Sequence, residues 1–266
     1  MSESDPHQPN ASAELEVETT NPAKRLHTII SLAQTQNTGV AALEAWAVTF
    51  GIDPGAANEN PHEVVDKLRL MNGEVENLRR LMQKTHFSND LYDAALANVL
   101  KLLSVTNLSA GWNSFVGSVS AENLLALRWC SEAVESEVGL THAELQNLLD
   151  AINAFKEDVQ SANLPGPIRE FVLHQIELMI LGIHQYPIIG RRAAREAVRR
   201  AASEVLDSDD NVASATPSRY KEKIAKLWTV ILASVEGGEK MVKAITGVAE
   251  AVPKLIAAVS GGSQAS

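Results

Sequence analysis

The sequence contains a single cysteine, Cys130, so no disulfide can form within the chain. An unpaired thiol is typical of proteins in a reducing compartment. The first residues also lack the basic and apolar regions of a secretory signal. We therefore expect a cytoplasmic protein, and a peripheral position at a membrane is the alternative.

Aromatic residues are scarce, at 5% of the chain, while alanine, leucine and valine are abundant. This balance favours helices over strands, and we find no convincing strand pattern. The long charge-free stretch at residues 102–121 is too rich in serine and asparagine for a standard transmembrane helix. With 266 residues, of which 45% are hydrophobic, the chain can bury a sizeable core without a metal or disulfide.

Basic residues are also outnumbered by acidic ones, so the net charge is −10. An acidic surface of this kind argues against binding to nucleic acid. The charge is uneven: residues 1–20 carry five acidic side chains and no lysine or arginine, whereas residues 191–200 carry five arginines. We interpret residues 1–20 as a disordered acidic tail.

Sequence motifs for catalysis are missing. We find no glycine-rich phosphate loop, no Walker lysine and no nucleophile elbow. His174 lies one turn from Glu170 and Glu177, but the Glu-to-His spacing and the lack of a matching second helix do not fit a di-metal carboxylate site. We interpret this stripe as a solvated or salt-bridged face and expect a non-enzymatic protein without metal or cofactor.

Helix-capping signals and a 3.6-residue period predict an all-α, multi-helix bundle at residues 21–206. An acidic linker at 207–218 follows, then an amphipathic helical pair at 219–260 and a disordered tail at 261–266. The bundle should be organised around residues 167–206. There, an apolar run that predicts a central buried helix ends in a corner at Tyr186-Pro187 and leads into an arginine-rich helix.

The most regular stretch is a heptad seam with apolar side chains at alternating spacings of four and three. It predicts either one arm of an intramolecular helical hairpin or the interface of a homo-oligomer. The seam consists of Val64, Leu68, Met71, Val75, Leu78 and Met82.

Two surfaces are candidates for function. The arginine-rich helix predicts a site for an anion or an acidic partner, formed by Arg191, Arg192, Arg195, Arg199 and Arg200. The last helix predicts an apolar face for a partner or a membrane, formed by Val242, Ile245, Val248, Val252 and Ile256. Our first hypothesis is an interaction or scaffold protein for an acidic or helical partner. The alternative is a membrane-acting protein, such as a toxin or bacterial defence effector.

Overall fold

The computed structural model describes residues 19–207 and 215–236. Within these ranges the chain forms eleven α-helices and almost no strand, which confirms the all-α multi-helix bundle. The helices are α1 (Pro22–Gln34), α2 (Ala42–Thr49), α3 (Pro54–Glu59), α4 (His62–Met82), α5 (Asp93–Leu102), α6 (Asn113–Val116), α7 (Ala121–Ala133), α8 (His142–Ser161), α9 (Gly166–Ile189), α10 (Arg191–Asp207) and α11 (Ser218–Glu236). Two short 3₁₀ helices span Asn89–Leu91 and Val105–Asn107. Two two-residue strands, β1 (Thr19–Thr20) and β2 (Glu137–Val138), pair in antiparallel fashion.

The capping residues explain where several helices begin. The Asn21 side chain accepts a hydrogen bond of 2.9 Å from the Lys24 N–H, and Pro22 occupies the first position of α1. At α8, Thr141 and Glu144 form a reciprocal capping box. Both helix starts are where the sequence predicts them.

The heptad seam on α4 lies inside the chain's own core. All six of its side chains are completely buried, and α4 packs against α1, α5 and α9. The seam therefore presents no surface to a second copy in this structure. Helices of the same chain cover Val64, Leu68, Met71, Val75, Leu78 and Met82, and the alternative in which these residues join a homo-oligomer stays a prediction.

The predicted corner at Tyr186-Pro187 is wrong. Helix α9 continues through Pro187 to Ile189, and the chain turns only at Gly190, where φ is +57°. A proline costs the helix one hydrogen bond, but Tyr186 and Ile188 are buried on either side of it. Their packing keeps the last turn helical, so the break falls on the residue that tolerates a positive φ.

Helix α9 connects two apolar cores. Its C-terminal end, with Ile188 and Ile189, belongs to a core built mainly by α1, α2, α4, α5 and α7. Its middle, with Ile176 and Met179, belongs to a second core that includes α8, α10 and α11. The most apolar stretch of the sequence is therefore the shared element of both cores, as expected of a central buried helix.

Helix α10 lies unusually close to α9. A Cβ at Gly182 would be only 2.8 Å from the Cβ of Ala197, and Ala193 and Ala194 are also buried in this contact. Helix α11 then adds Tyr220 and Ile231 to the second core. The first helix of the predicted C-terminal pair is thus docked on the bundle.

Several predicted segments lie wholly or partly outside the described residues: residues 1–18 of the acidic tail, 208–214 of the linker, 237–260 of the helical pair, and the tail 261–266. The last two residues of the predicted tail, Thr19 and Thr20, form β1. They are ordered because they pair with Val138 and Glu137 of β2.

Candidate functional site

The five arginines of α10 do not form one surface. Arg195, Arg199 and Arg200 are exposed, whereas Arg191 and Arg192 are partly buried at the start of the helix. Arg195 and Arg199 have no carboxylate partner within the described residues, and Arg200 lies 3.7 Å from Glu196. Of the predicted anion surface, only Arg195, Arg199 and Arg200 therefore remain exposed.

Arg192 turns inward to a buried carboxylate. Glu74, on α4, is completely buried, and its two oxygens accept from Arg25 at 2.5 Å and from Arg192 at 2.7 Å. Asn77 lies at 3.5 Å from the second oxygen. A buried carboxylate needs such partners, because desolvation without them would be very costly. Glu74 thus joins α4 to α1 and α10.

A second carboxylate extends this cluster to the short sheet. Glu137 of β2 contacts the Arg25 guanidinium and lies 3.9 Å from Arg191. Arg191 also donates two hydrogen bonds, of 2.9 and 2.7 Å, to the Val138 carbonyl. Arg25 donates to the carbonyl of Ile188, one of the last acceptors of α9. Three guanidinium groups therefore surround two carboxylates, with an excess of one positive charge.

This cluster joins α1, α4, α10 and β2 to one another inside the fold. The sequence does not reveal it, because Glu74 lies beside the heptad seam at a position that is usually solvent-exposed. The one available signal is the run of arginines at the start of α10, which could have indicated buried acidic partners. Since every charge in the cluster is engaged and Glu74 is inaccessible, Arg191 and Arg192 hold the bundle together in this structure.

A groove of about 690 Å³ lies between α8 and α11. Phe155 near the end of α8 stacks on Tyr220 near the start of α11, with ring centroids 6.3 Å apart. The lining of α11 extends from Arg219 to Val230, about 16 Å along the helix. The apolar lining consists of Leu140, Leu148, Ala151, Leu227 and Val230.

Positive side chains follow the α11 side of this groove, at Arg219, Lys223 and Lys226. Lys223 pairs with Asp158 of α8 at 2.8 Å. Within the ranges 19–207 and 215–236, neither Arg219 nor Lys226 has a carboxylate partner. The groove therefore combines apolar surface with two positive side chains that form no ion pair among the described residues.

Two acidic side chains also line the groove, and neither pairs with Arg219 or Lys226 among the described residues. Glu144 accepts from the backbone N–H and the hydroxyl of Thr141, at 2.8 and 2.9 Å, so its carboxylate is engaged at the start of α8. Glu222 is exposed at the edge of the groove. Lys226 is exposed to a ligand with acidic groups, and so is Arg219, whose guanidinium also donates a hydrogen bond of 2.7 Å to the Tyr220 hydroxyl.

The remaining candidates have no reactive environment. His174 contacts Glu204 and lies 3.9 Å from Glu177. Burial raises the pKa of the Cys130 thiol to about 11, so the thiol remains protonated and is a poor nucleophile. No group of three metal-ligating side chains occurs among the residues that the structure describes.

The predicted membrane or partner face, Val242, Ile245, Val248, Val252 and Ile256, lies outside the described residues. Among the helices that the structure does describe, none has the length and hydrophobicity required to cross a bilayer. Comparison with protein-family models, curated proteins and solved structures finds no match to this chain.

Proposed function

We propose that this protein is a non-enzymatic, α-helical interaction protein that binds an acidic segment of a protein partner in the α8–α11 groove. One observation carries the proposal: an open groove combines an apolar lining with Arg219 and Lys226, which have no carboxylate partner among the described residues. Grooves between helices commonly accept amphipathic segments of partner proteins.

The two kinds of lining have different roles in binding. Burial of Leu148 and Leu227 against apolar side chains of the partner supplies most of the affinity. Arg219 and Lys226 select an acidic segment and speed its encounter with the groove. These two residues are two helical turns apart, about 10 Å, so a partner needs at least two acidic side chains to meet both.

Selection of random peptides displayed on phage tests this proposal. The full chain should enrich peptides that combine acidic and apolar residues. Binding of a selected peptide should weaken at least roughly tenfold in the double variant Arg219→Glu/Lys226→Glu and should weaken further as salt increases. Circular dichroism establishes that the variant remains folded.

The matched control is Arg195→Glu/Arg199→Glu, which makes the same change in charge at exposed arginines of α10 that have no carboxylate partner in the described part of the chain. Peptide binding should be nearly unchanged in this control. Equal binding to the wild type and to the α11 variant would refute the groove as the site. Loss of binding only in the α10 variant would assign the function to the exposed arginines of α10 instead.

A further inference from the structure

The α8–α11 groove offers few hydrogen-bond partners to the backbone of an occupant. Its walls are two helices, whose backbone N–H and carbonyl groups are bonded within each helix. Among the described side chains that line the groove, Asn147 is the one polar group without a charge, and the others are apolar or charged. An occupant therefore has to satisfy its own backbone groups on the side that faces the groove, because unpaired polar groups against apolar surface are costly.

A helix meets this requirement, and an extended chain does not. In a helix each backbone N–H bonds to a carbonyl of the preceding turn, so only side chains face the groove. An extended chain needs the edge of a sheet for its N–H and carbonyl groups, and neither α8 nor α11 supplies one. The lining of α11 extends from Arg219 to Val230, about 16 Å, which is the length of roughly three turns of a partner helix.

The cations of α11 repeat once per helical turn. Arg219, Lys223 and Lys226 stand at i, i+4 and i+7, so they lie on the same side of the helix, the side that lines the groove. Successive cations are about 6 and 4.5 Å apart along the helix axis. Acidic side chains one turn apart on a partner helix that lies alongside α11 have the same spacing. Alternate residues of an extended chain advance about 6.6 Å each, which differs from this spacing by about 3 Å over three positions.

The middle cation, Lys223, already has a partner on α8. Its ammonium lies 2.8 Å from Asp158 and 4.7 Å from the centre of the Phe155 ring. Asp158 lies outside the lining of the groove, so it competes for Lys223 with any carboxylate that enters the groove. Lys223 and Asp158 are 44% and 65% exposed, and an exposed ion pair stabilises a fold very little. A carboxylate of an occupant can therefore replace Asp158 at little cost.

We propose that the partner segment is an amphipathic helix with three acidic residues one helical turn apart, and that the middle carboxylate takes Lys223 from Asp158. The outer carboxylates meet Arg219 and Lys226, and the apolar side of the helix packs on the apolar lining of the groove. This inference rests on the proposed function, because it specifies the conformation and the charge spacing of the acidic segment that the groove binds.

Two synthetic peptides of the same composition test the conformation of the occupant. In the first, glutamates stand at i, i+3, i+4 and i+7 beside a stripe of leucines, a pattern that serves either direction of the helix. In the second, the same glutamates and leucines alternate with a period of two. Fluorescence anisotropy of the labelled peptides with the full chain should give the first an affinity at least roughly tenfold higher, and a central proline should remove this advantage. Equal affinities, or tighter binding of the alternating peptide, would overturn the proposal.

Variants of α8 test the role of Lys223. Asp158→Asn removes the competing carboxylate and should tighten binding of the first peptide by roughly two- to fivefold. In a Lys223→Met background the same substitution should no longer tighten binding.

The matched control is Glu157→Gln. It removes one negative charge at the neighbouring exposed position, where Glu157 forms no ion pair within the described ranges. This control should change the affinity by less than roughly 1.5-fold. Equal effects of Asp158→Asn and Glu157→Gln would refute the exchange of Lys223 between Asp158 and the partner.

The bound conformation of a phage-selected peptide separates this inference from the proposed function. An isotope-labelled selected peptide should show helical Cα chemical shifts over about three turns when the full chain is added. If selected peptides bind through Arg219 and Lys226 but show extended chemical shifts, the function stands and the helical occupant is refuted. If neither synthetic peptide binds and the selection yields none, the proposed function fails and this inference fails with it.

Discussion

The carboxylate of Glu74 and the guanidinium of Arg25 meet in the interior of the protein, with Oε1 and Nη2 2.5 Å apart. Glu74 is completely buried and Arg25 nearly so. The pair joins α4 to α1, and the second oxygen of Glu74 binds Arg192 at the start of α10. Three segments distant in sequence are therefore fixed to one carboxylate.

Removal of that carboxylate should be severe. Glu74→Ala leaves Arg25 buried with one carboxylate partner instead of two and also removes the partner of Arg192, and we expect a loss of about 3–5 kcal/mol in the free energy of unfolding. Urea denaturation followed by circular dichroism measures the change. The control is Glu76→Ala, which removes an exposed partner of Arg79 on the same helix and should cost less than about 1 kcal/mol. Similar losses in both variants would contradict the role of Glu74.

Two glycine-to-alanine substitutions should have opposite signs. Gly190 has φ +57°, and a Cβ there would overlap the Arg25 guanidinium and lie 2.6 Å from Glu137 Oε1. We expect Gly190→Ala to destabilise the protein by at least about 1–3 kcal/mol. Gly73 lies within α4 with open space around it, so Gly73→Ala should stabilise by about 0.4–1 kcal/mol. Thermal unfolding of both variants checks the contrast, and stabilisation by Gly190→Ala would contradict it.

Because the heptad seam is buried within one chain, a substitution in it should lower the free energy of unfolding by an amount that does not depend on protein concentration. Leu68→Ala should lower the free energy of unfolding by about 2–5 kcal/mol, because it opens a cavity in the core. If the seam joined two copies instead, the unfolding midpoint would rise with concentration. Denaturation of wild type and variant over a hundredfold range of concentration distinguishes these cases. A midpoint that shifts with concentration and loses the shift in Leu68→Ala would restore the oligomer interface.

Cys130 should lower the free energy of unfolding at alkaline pH. Because burial raises the pKa of its thiol to about 11, the folded protein keeps a proton that the unfolded chain releases above about pH 9. Stability should therefore fall from about pH 9 to 11, by up to roughly 2–3 kcal/mol from this group. Cys130→Ala should flatten this part of the pH profile in urea denaturation. Burial also raises the pKa values of Tyr92 and Tyr186, and that of Tyr92 is raised further by Cys130. The substitution therefore removes the Cys130 contribution and part of the Tyr92 contribution, and parallel profiles would contradict the prediction.

The local sequence was sufficient for many elements because their signals are short-range. Asn21-Pro22 and Thr141 with Glu144 determine helix starts through bonds to their own first turns. The heptad spacing on α4 identified the buried face. The same spacing could not show which helices cover that face, because a seam within one chain and a seam between two copies bury the same side chains.

Long-range contacts reversed several local interpretations. Pro187 indicates the end of a helix, yet burial of Tyr186 and Ile188 extends α9 to Gly190. The arginines of α10 indicate an exposed basic surface, but Arg191 and Arg192 reach partners on β2 and α4. No periodicity encodes such partners, since they lie 53 and 118 residues away.

The sequence by itself therefore determined the helical class, helix starts such as those of α1 and α8, and the apolar faces, since these depend on neighbours within one or two turns. The tertiary structure alone decided that Glu74 is buried and that α8 and α11 enclose a groove. It alone also placed Thr19 and Thr20 in register with β2. Each of these features depends on contacts between segments that are far apart in the chain. Apolar burial and charge pairing stabilise those contacts, and neither can be read from a local sequence pattern.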